Sequence, residues 1–335
     1  MMNSRILILV VIFFLAGLGG ASFLHQLQPS SQSDSPTLVD IPEGASFAEV
    51  AEVLHQRHVI KSSWAFRWMA RLKGADRKII PGEYEFRGSM EPSELLAKLV
   101  KGDVVQHAVT IPEGYSTVQI ASLFEDKGLA DREEFLRVTQ DPSFIKGLGL
   151  HAPTLEGYLF PNTYHFTRHL KPETMITAMV SQFEQAWTAN HRARAEELGM
   201  SVHQVLTLAS VIEKETGVAR ERGLISGVFH NRLKRKIPLQ SDPTVIYALA
   251  GFDGDLRKKD LSIESPYNTY RVRGLPPGPI SNPGSASIHA ALFPVTTNYL
   301  YFVSRNDGSH QFSATLSEHN SAVRKYQSSH SQHAS

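Results

Sequence analysis

Cysteine is absent from the 335 residues, which removes disulfides, thiolate zinc sites and a cysteine nucleophile together. Neither sign of charge dominates either. The 34 basic and 33 acidic side chains leave a formal +1, spread along the chain, so no field marks nucleic acid as a partner. There is no P-loop, no dinucleotide fingerprint and no G-x-S-x-G elbow, which argues against nucleotide and serine-hydrolase chemistry. "SFIK" from Ser143 to Lys146 fits S-x-x-K, but no K-T-G follows, so chance explains it better. His165 and His169 have the i, i+4 spacing of a helical zinc pair but lack the intervening glutamate of H-E-x-x-H. Neither a metal nor a cofactor is expected.

Long charge-free runs are equally scarce, and the exception is at the start. Ile6 to Leu24 are 19 residues without a charge, directly after Arg5, close to the roughly 20 that a membrane-spanning helix needs. One basic residue on the short leading side, with the bulk of the chain behind, predicts an anchor with its N-terminus inside and the rest exported. A cleaved signal peptide is the alternative, since "GGAS" offers small residues. "HQLQPSSQSDSP" then reads as a polar flexible linker.

Two later segments share "IPEG", led by Ile41 and Ile111. Each passes from an apolar strand end through Pro-Glu-Gly to a serine and then to apolar residues at helical spacing (Phe47, Val50, Ala51, Leu54; Val118, Ile120, Ala121, Phe124), which predicts a repeated strand-turn-helix device. After the first copy, a second helix with Trp64, Phe66 and Trp68, a strand in "IIPGEYEFRGSM" and a further helix complete a small α+β module. Its element order resembles the LysM-like domain, which implies N-acetylated glycan as its ligand; a plain spacer is the alternative. Downstream, one long amphipathic helix is predicted to end at Gly199, and Ser201 to cap the next. A hairpin is predicted around Asn306, Asp307 and Gly308.

The Ser201 helix carries the chemistry. Apolar residues from Val202 to Ile212 cover nearly its whole circumference, so it is predicted to be buried. Glu213 and Glu215 then interrupt it. Two residues on a helix amount to about 200° of rotation, so the two carboxylates face opposite ways and are no dyad. Periodicity alone does not say which one faces a cleft. A carboxylate among apolar neighbours has a raised pKa and is fit to donate a proton, which glycosidic cleavage demands. An ion pair with Arg220 or Arg222 is the structural alternative. The amides, hydroxyls and tyrosines of "FHNRLKRKIPLQSDPTVIYAL", "SPYNTYRVRGLPPGPISNPG" and "YLYFVSRNDGSHQF" suit sugar hydroxyls and pyranose faces.

Those three blocks, with "EGYLFPNTY" and "LASVIEKET", occur in the order seen in the MltG-type (YceG-like) endolytic murein transglycosylases, which the chain resembles from about Thr110 to Tyr326. The resemblance implies cleavage of the β-1,4 bond between N-acetylmuramic acid and N-acetylglucosamine inside nascent strands, leaving 1,6-anhydro ends. It implies Glu215 as the catalytic acid and base, and Glu213 as a supporting neighbour. Glu156, Gln240, Asp242, Tyr267, Asn268, Thr269 and Tyr270 are the candidates for holding the glycan. Asn162 stands where the family often has aspartate, and Ile237 where it has methionine. A hydrolase using Glu156 to activate water, or a glycan-binding scaffold without turnover, are the rival readings.

The expected architecture is therefore α+β: a cytoplasmic stub (1–5), a transmembrane anchor (6–24), a linker (25–36), a LysM-like module (37–107), a mixed α/β catalytic domain with a glutamate-bearing buried helix (108–326) and a disordered tail (327–335). The implied location is a bacterial inner membrane, single-pass, with the catalytic domain in the periplasm. The implied partners are peptidoglycan strands and penicillin-binding synthases.

Overall fold

A computed structural model describes residues 4–249 and 251–327 of the chain. The expected tail lies outside the described residues from 328 on, as do residues 1–3 of the expected stub. The fold is mixed α+β and divides into two compact units, one built from residues up to 108 with 165–170, the other from 109–164 and from 171 onwards.

The first unit opens with α1 (Ser4–Gln26). Its stretch Ile8–Gln26 has a mean hydropathy of 2.2 and no residue of it is buried, so it is long and apolar enough to span a membrane. The chain does not then drift free, as the composition of "HQLQPSSQSDSP" suggests. Pro29 bridges to Ile60, Ser31 N donates to Gly88 O at 3.0 Å, and Ser30 Oγ donates to His58 O at 2.6 Å. Strand β1 (Pro36–Ile41), helices α2 (Phe47–Gln56) and α3 (Ser63–Leu72), strand β2 (Gly82–Arg87) and α4 (Pro92–Lys101) follow. β1 and β2 pair antiparallel from Pro36 opposite Arg87 to Ile41 opposite Gly82. One face of this ribbon (Val39, Ile41, Tyr84, Phe86) closes on Leu54, Phe66, Leu95 and Leu99 to make the core. In β1 the buried Val39 and Ile41 alternate with the exposed Leu38 and Asp40, as in a half-covered strand, whereas in β2 Glu83 is buried beside Tyr84.

β3 (His107–Thr110) and β4 (Thr163–Phe166) form a second two-stranded sheet, and between them run α5 (Thr117–Asp126), α6 (Arg132–Thr139) and α7 (Pro142–Gly147). The repeated "IPEG" device is realised twice. Gly44 and Gly114 turn the chain at φ of 82° and 77°, a region that costs a glycine nothing. Ser46 with Glu49, and Ser116 with Gln119, then close reciprocal capping boxes on α2 and α5. His165 lies in β4, not on a helix, and His169 bonds Asp40 through Nε2 at 2.7 Å. The helical zinc spacing is thus not formed.

The second unit continues with α8 (Pro172–Ala186) and α9 (Ala189–Glu197) where one long helix was expected. The break falls at Thr188, which is extended and whose hydroxyl accepts from His191 N as a fresh N-cap. Then come α10 (Val202–Glu215), α11 (Arg222–Lys234), α12 (Asp242–Ala248), α13 (Ser285–Leu292), the hairpin strands β5 (Tyr301–Ser304) and β6 (His310–Ser313), and α14 (Leu316–Gln327). Every residue of α10 from Val205 to Ile212 is buried. The helix packs against α9, α11, α12 and α13, which is why its sequence is apolar all round. The hairpin turns through Asn306 at φ 65° and Gly308 at φ 85°. α14 packs on that hairpin and was not foreseen from its largely polar sequence.

Candidate active site

Helix α10 ends on Glu215, and Glu215 opens into a cleft of about 490 Å³. Gln240, Asp242, Tyr270, Arg232, Phe302, His310 and His319 line the same cleft. Glu215 Oε1 accepts from Ser241 Oγ at 2.6 Å. Ser241 stands at the N-cap of α12, yet its hydroxyl caps nothing there because it is spent on the carboxylate. Its own backbone is fixed from behind, since Ser241 N donates to Thr269 Oγ1 at 3.0 Å and Thr244 Oγ1 donates to Ser241 O at 2.7 Å.

Burial pushes the Glu215 carboxyl up from its ordinary 4.5 to about 7; the Asp242 carboxylate adds to the rise, while the Ser241 hydrogen bond and Arg232 oppose it. Arg232 is held rigidly. Its Nε donates to Leu300 O at 2.7 Å, and its Nη1 reaches Pro238 O, Leu239 O and Gln240 Oε1 at 3.0 to 3.1 Å. A guanidinium held by three carbonyls and an amide oxygen is a fixed local charge that stabilises the ionised form of Glu215. Gln240 adopts φ 50°, a left-handed conformation that a non-glycine residue holds only under constraint. Here the constraint is Gln240 N donating to Thr269 O at 3.0 Å.

Glu213 points elsewhere, as the rotation along the helix requires. Its Oε2 accepts from Gly284 N at 2.9 Å and its Oε1 lies 4.0 Å from Arg222. A side chain at Gly284 would collide with Glu113, since a Cβ there would meet Glu113 Oε1 at 1.8 Å. Glu213 thereby ties the catalytic-candidate helix to the 282–284 turn.

The seven residues proposed from sequence to hold a glycan separate into two groups. Gln240, Asp242 and Tyr270 line the cleft, with the Tyr270 hydroxyl donating to Asp242 Oδ1. The other four do not line it. Asn268 is fully buried; its amide donates to Leu261 O and Ile263 O, and its Oδ1 accepts from Tyr270 N. Thr269 is buried behind Ser241. Tyr267 packs on Tyr247 with ring centroids 5.0 Å apart. Glu156 is only 5 % exposed and receives Thr117 N at 3.0 Å, Asn282 Nδ2 at 3.0 Å and the Tyr247 hydroxyl at 3.2 Å. Burial raises it to about 7, against the opposing hydrogen bonds from Thr117 and Tyr247. It is thus a second perturbed carboxyl, engaged with the loops around Asn282 and α12.

Ser241, Arg232, His310 and His319 were missed by sequence reasoning. His310 joins the cleft from β6, and its Nδ1 is fixed on Glu221 Oε2 at 2.8 Å. His319 stacks on Tyr301 from α14, with centroids 5.1 Å apart. The signal was available for Ser241, which sits two residues before the Pro243 in the first turn of α12, and His310 lies in the predicted hairpin; for His319 it was not, because α14 was unforeseen.

Comparison with known proteins gives a consistent set of matches. The model of the YceG-like family matches residues 39–325. The chain is 37 % identical over 330 residues to a protein named endolytic murein transglycosylase from Bacillus subtilis, covering 92 % of this chain and 91 % of that one. It is 32 % identical over 313 residues to a protein of the same name from Streptococcus pneumoniae, covering 84 % of this chain and 56 % of that one. A crystal structure of a yceG-like protein from Listeria monocytogenes superposes with a TM-score of 0.60 at 36 % identity, covering 86 % of this chain and 99 % of that one.

Proposed function

The chain belongs to the YceG-like family, and from that premise we propose an endolytic transglycosylase that cuts peptidoglycan glycan strands with Glu215 as its single acid and base. The relatives' shared name supports the enzyme class and the substrate. The observation that carries the residue assignment is a carboxyl raised to about 7 by burial, at the end of a rigid helix and open to a cleft.

The chemistry follows from that one group. Protonated Glu215 gives its proton to the glycosidic oxygen as the bond from that oxygen to C1 of the muramyl residue breaks. The carboxylate then takes the proton of the muramyl 6-hydroxyl, whose oxygen closes onto C1 and leaves a 1,6-anhydro end. Because the nucleophile is already part of the substrate, a second carboxylate to activate water is not required, in contrast to most glycosidases. Ser241 holds the carboxylate in place and Arg232 steadies its ionised state between the two steps. Gln240, Asp242 and Tyr270 contact the sugar hydroxyls. Tyr267, Asn268, Thr269 and Glu156 act from outside the cleft by fixing the loops that carry those three.

We read the first unit as LysM-like on its β1-α2-α3-β2 order, and α1 as an anchor with the second unit exported. Peptidoglycan synthases of the penicillin-binding class are the partners this reading implies. Purified glycan strands digested by the full chain test the mechanism by mass spectrometry. Anhydro-ended fragments are the expected products; reducing ends would convict a hydrolase, and no turnover would leave a binding scaffold.

A further inference from the structure

Helix α3 turns a stripe of its surface away from the core. Trp64, Trp68 and Leu72, at i, i+4 and i+8, are 57 %, 47 % and 76 % exposed, while Ala65, Phe66, Met69 and Ala70 on the other face are buried. Large apolar side chains aligned in this way are seldom left to water on a soluble surface. Arg67, Arg71 and Arg77 line the same groove as the two tryptophans, against one acidic residue, Asp76.

Two observations indicate what covers the stripe. The ring of Trp64 meets Phe23 edge-on, with centroids 5.6 Å apart, and Phe23 lies near the C-terminal end of the apolar stretch Ile8–Gln26. The stripe therefore starts where a spanning helix leaves the hydrocarbon, which is the depth at which tryptophan concentrates in membrane proteins. The short connection after α1 is also pinned, by the Pro29–Ile60 bridge and by Ser31 N on Gly88 O, so α3 stays beside that end.

We propose that α3 lies on the headgroup layer of the bilayer that α1 enters, with Trp64, Trp68 and Leu72 at the acyl boundary and Arg67, Arg71 and Arg77 on anionic lipid phosphates. This rests on α1 being a span. A sugar chain stacked on the tryptophans is the competing occupant, but it accounts neither for three arginines nor for the contact with Phe23.

The chain's three tryptophans make the test direct, because the third, Trp187, is buried in the second unit. The full-length protein is reconstituted in vesicles of phosphatidylglycerol and phosphatidylethanolamine carrying brominated acyl chains. The emission of Trp64 and Trp68 is read in a Trp187→Phe variant. It is read independently as wild type minus Trp64→Phe/Trp68→Phe, which leaves Trp187 untouched should the first variant fold poorly. The proposal expects bromolipid to quench that emission by at least about half, acrylamide to quench it weakly, and Arg67→Glu/Arg71→Glu/Arg77→Glu or omission of phosphatidylglycerol to reverse both effects. Quenching no greater than that of Trp187 alone overturns it. Protection from acrylamide by purified glycan strands in place of lipid overturns it too. Flotation of the vesicles after alkaline carbonate reports on α1 separately: protein that floats without quenching refutes only the docking of α3, and protein that does not float refutes the span itself.

Discussion

Ser241 Oγ donates a 2.6 Å hydrogen bond to Glu215 Oε1 although Ser241 occupies the N-cap of α12, whose first turn it leaves without a side-chain cap. A cap is worth about 1 kcal/mol, so the hydroxyl has been diverted from helix stability to the placement of one carboxylate. The diversion connects the end of α10 to the start of α12 at the cleft.

Replacing Glu215 with glutamine removes the proton donor and acceptor while keeping the side chain's shape. Release of anhydro-ended fragments from glycan strands should fall by about 10³-fold, within the range that general acid–base groups contribute. Turnover within tenfold of wild type would sink the assignment.

The pH dependence should follow the protonated form. With Glu215 at about 7, kcat/KM is expected to fall tenfold per pH unit above that value. Ser241→Ala removes a hydrogen bond that favours the carboxylate, so the alkaline limb should move upward by about one unit, given the usual strength of a bond to a charged group. Initial rates between pH 5 and 9 measure both.

Glu215 also sets a stability trend of definite sign. Its native pKa lies above the unfolded value near 4.5, so its contribution is fully present below about 4.5 and is lost as pH rises through about 7. Glutamine does not titrate. Glu215→Gln should therefore unfold at the same temperature as wild type near pH 4 and be more stable at pH 8, by on the order of 2–3 kcal/mol. Calorimetry at the two pH values checks it, and equal stability at pH 8 contradicts the burial of the charge.

Asn282 is a structural counterpart. It is fully buried, accepts from Leu159 N, and donates to Tyr115 O and Glu156 Oε1. Asn282→Ala strands those groups and should cost about 2–4 kcal/mol. The alkaline limb of the activity profile should stay where it is, because Glu215 is not among its partners.

Gln240→Gly relieves a left-handed backbone at φ 50°, worth about 1 kcal/mol, and loses the Gln240 Oε1 bond to Arg232. Stability should change little while KM for glycan strands rises several-fold. An unchanged KM would remove Gln240 from the substrate contacts.

Much of the local structure was legible because it is written in short-range chemistry. The two Pro-Glu-Gly turns, their capping serines, the Asn306–Gly308 hairpin and the buried character of α10 depend on residues a few positions apart. The opposite aims of Glu213 and Glu215 follow from helical pitch alone. The two helices in place of one at Thr188 show the limit of such reasoning, because an amphipathic pattern continues across a capping threonine that the fold uses as a stop. Asn268 and Thr269 show another: polar residues in a proline-rich loop look like ligands for sugar, and here they supply the hydrogen bonds that the loop backbone lacks.

The sequence by itself determined the class of the fold, the apolar N-terminal helix and a buried helix ending in two carboxylates, since periodicity and capping are local. Only the tertiary structure decided which side chains share the cleft with Glu215. Together with Glu215, the residues Ser241, Arg232, Gln240, Asp242, Tyr270, His310 and His319 come from four helices, a strand and two loops spread over more than a hundred residues. Their proximity, and with it the raised proton affinity of Glu215, arises from long-range packing that excludes water, a property that no single segment carries.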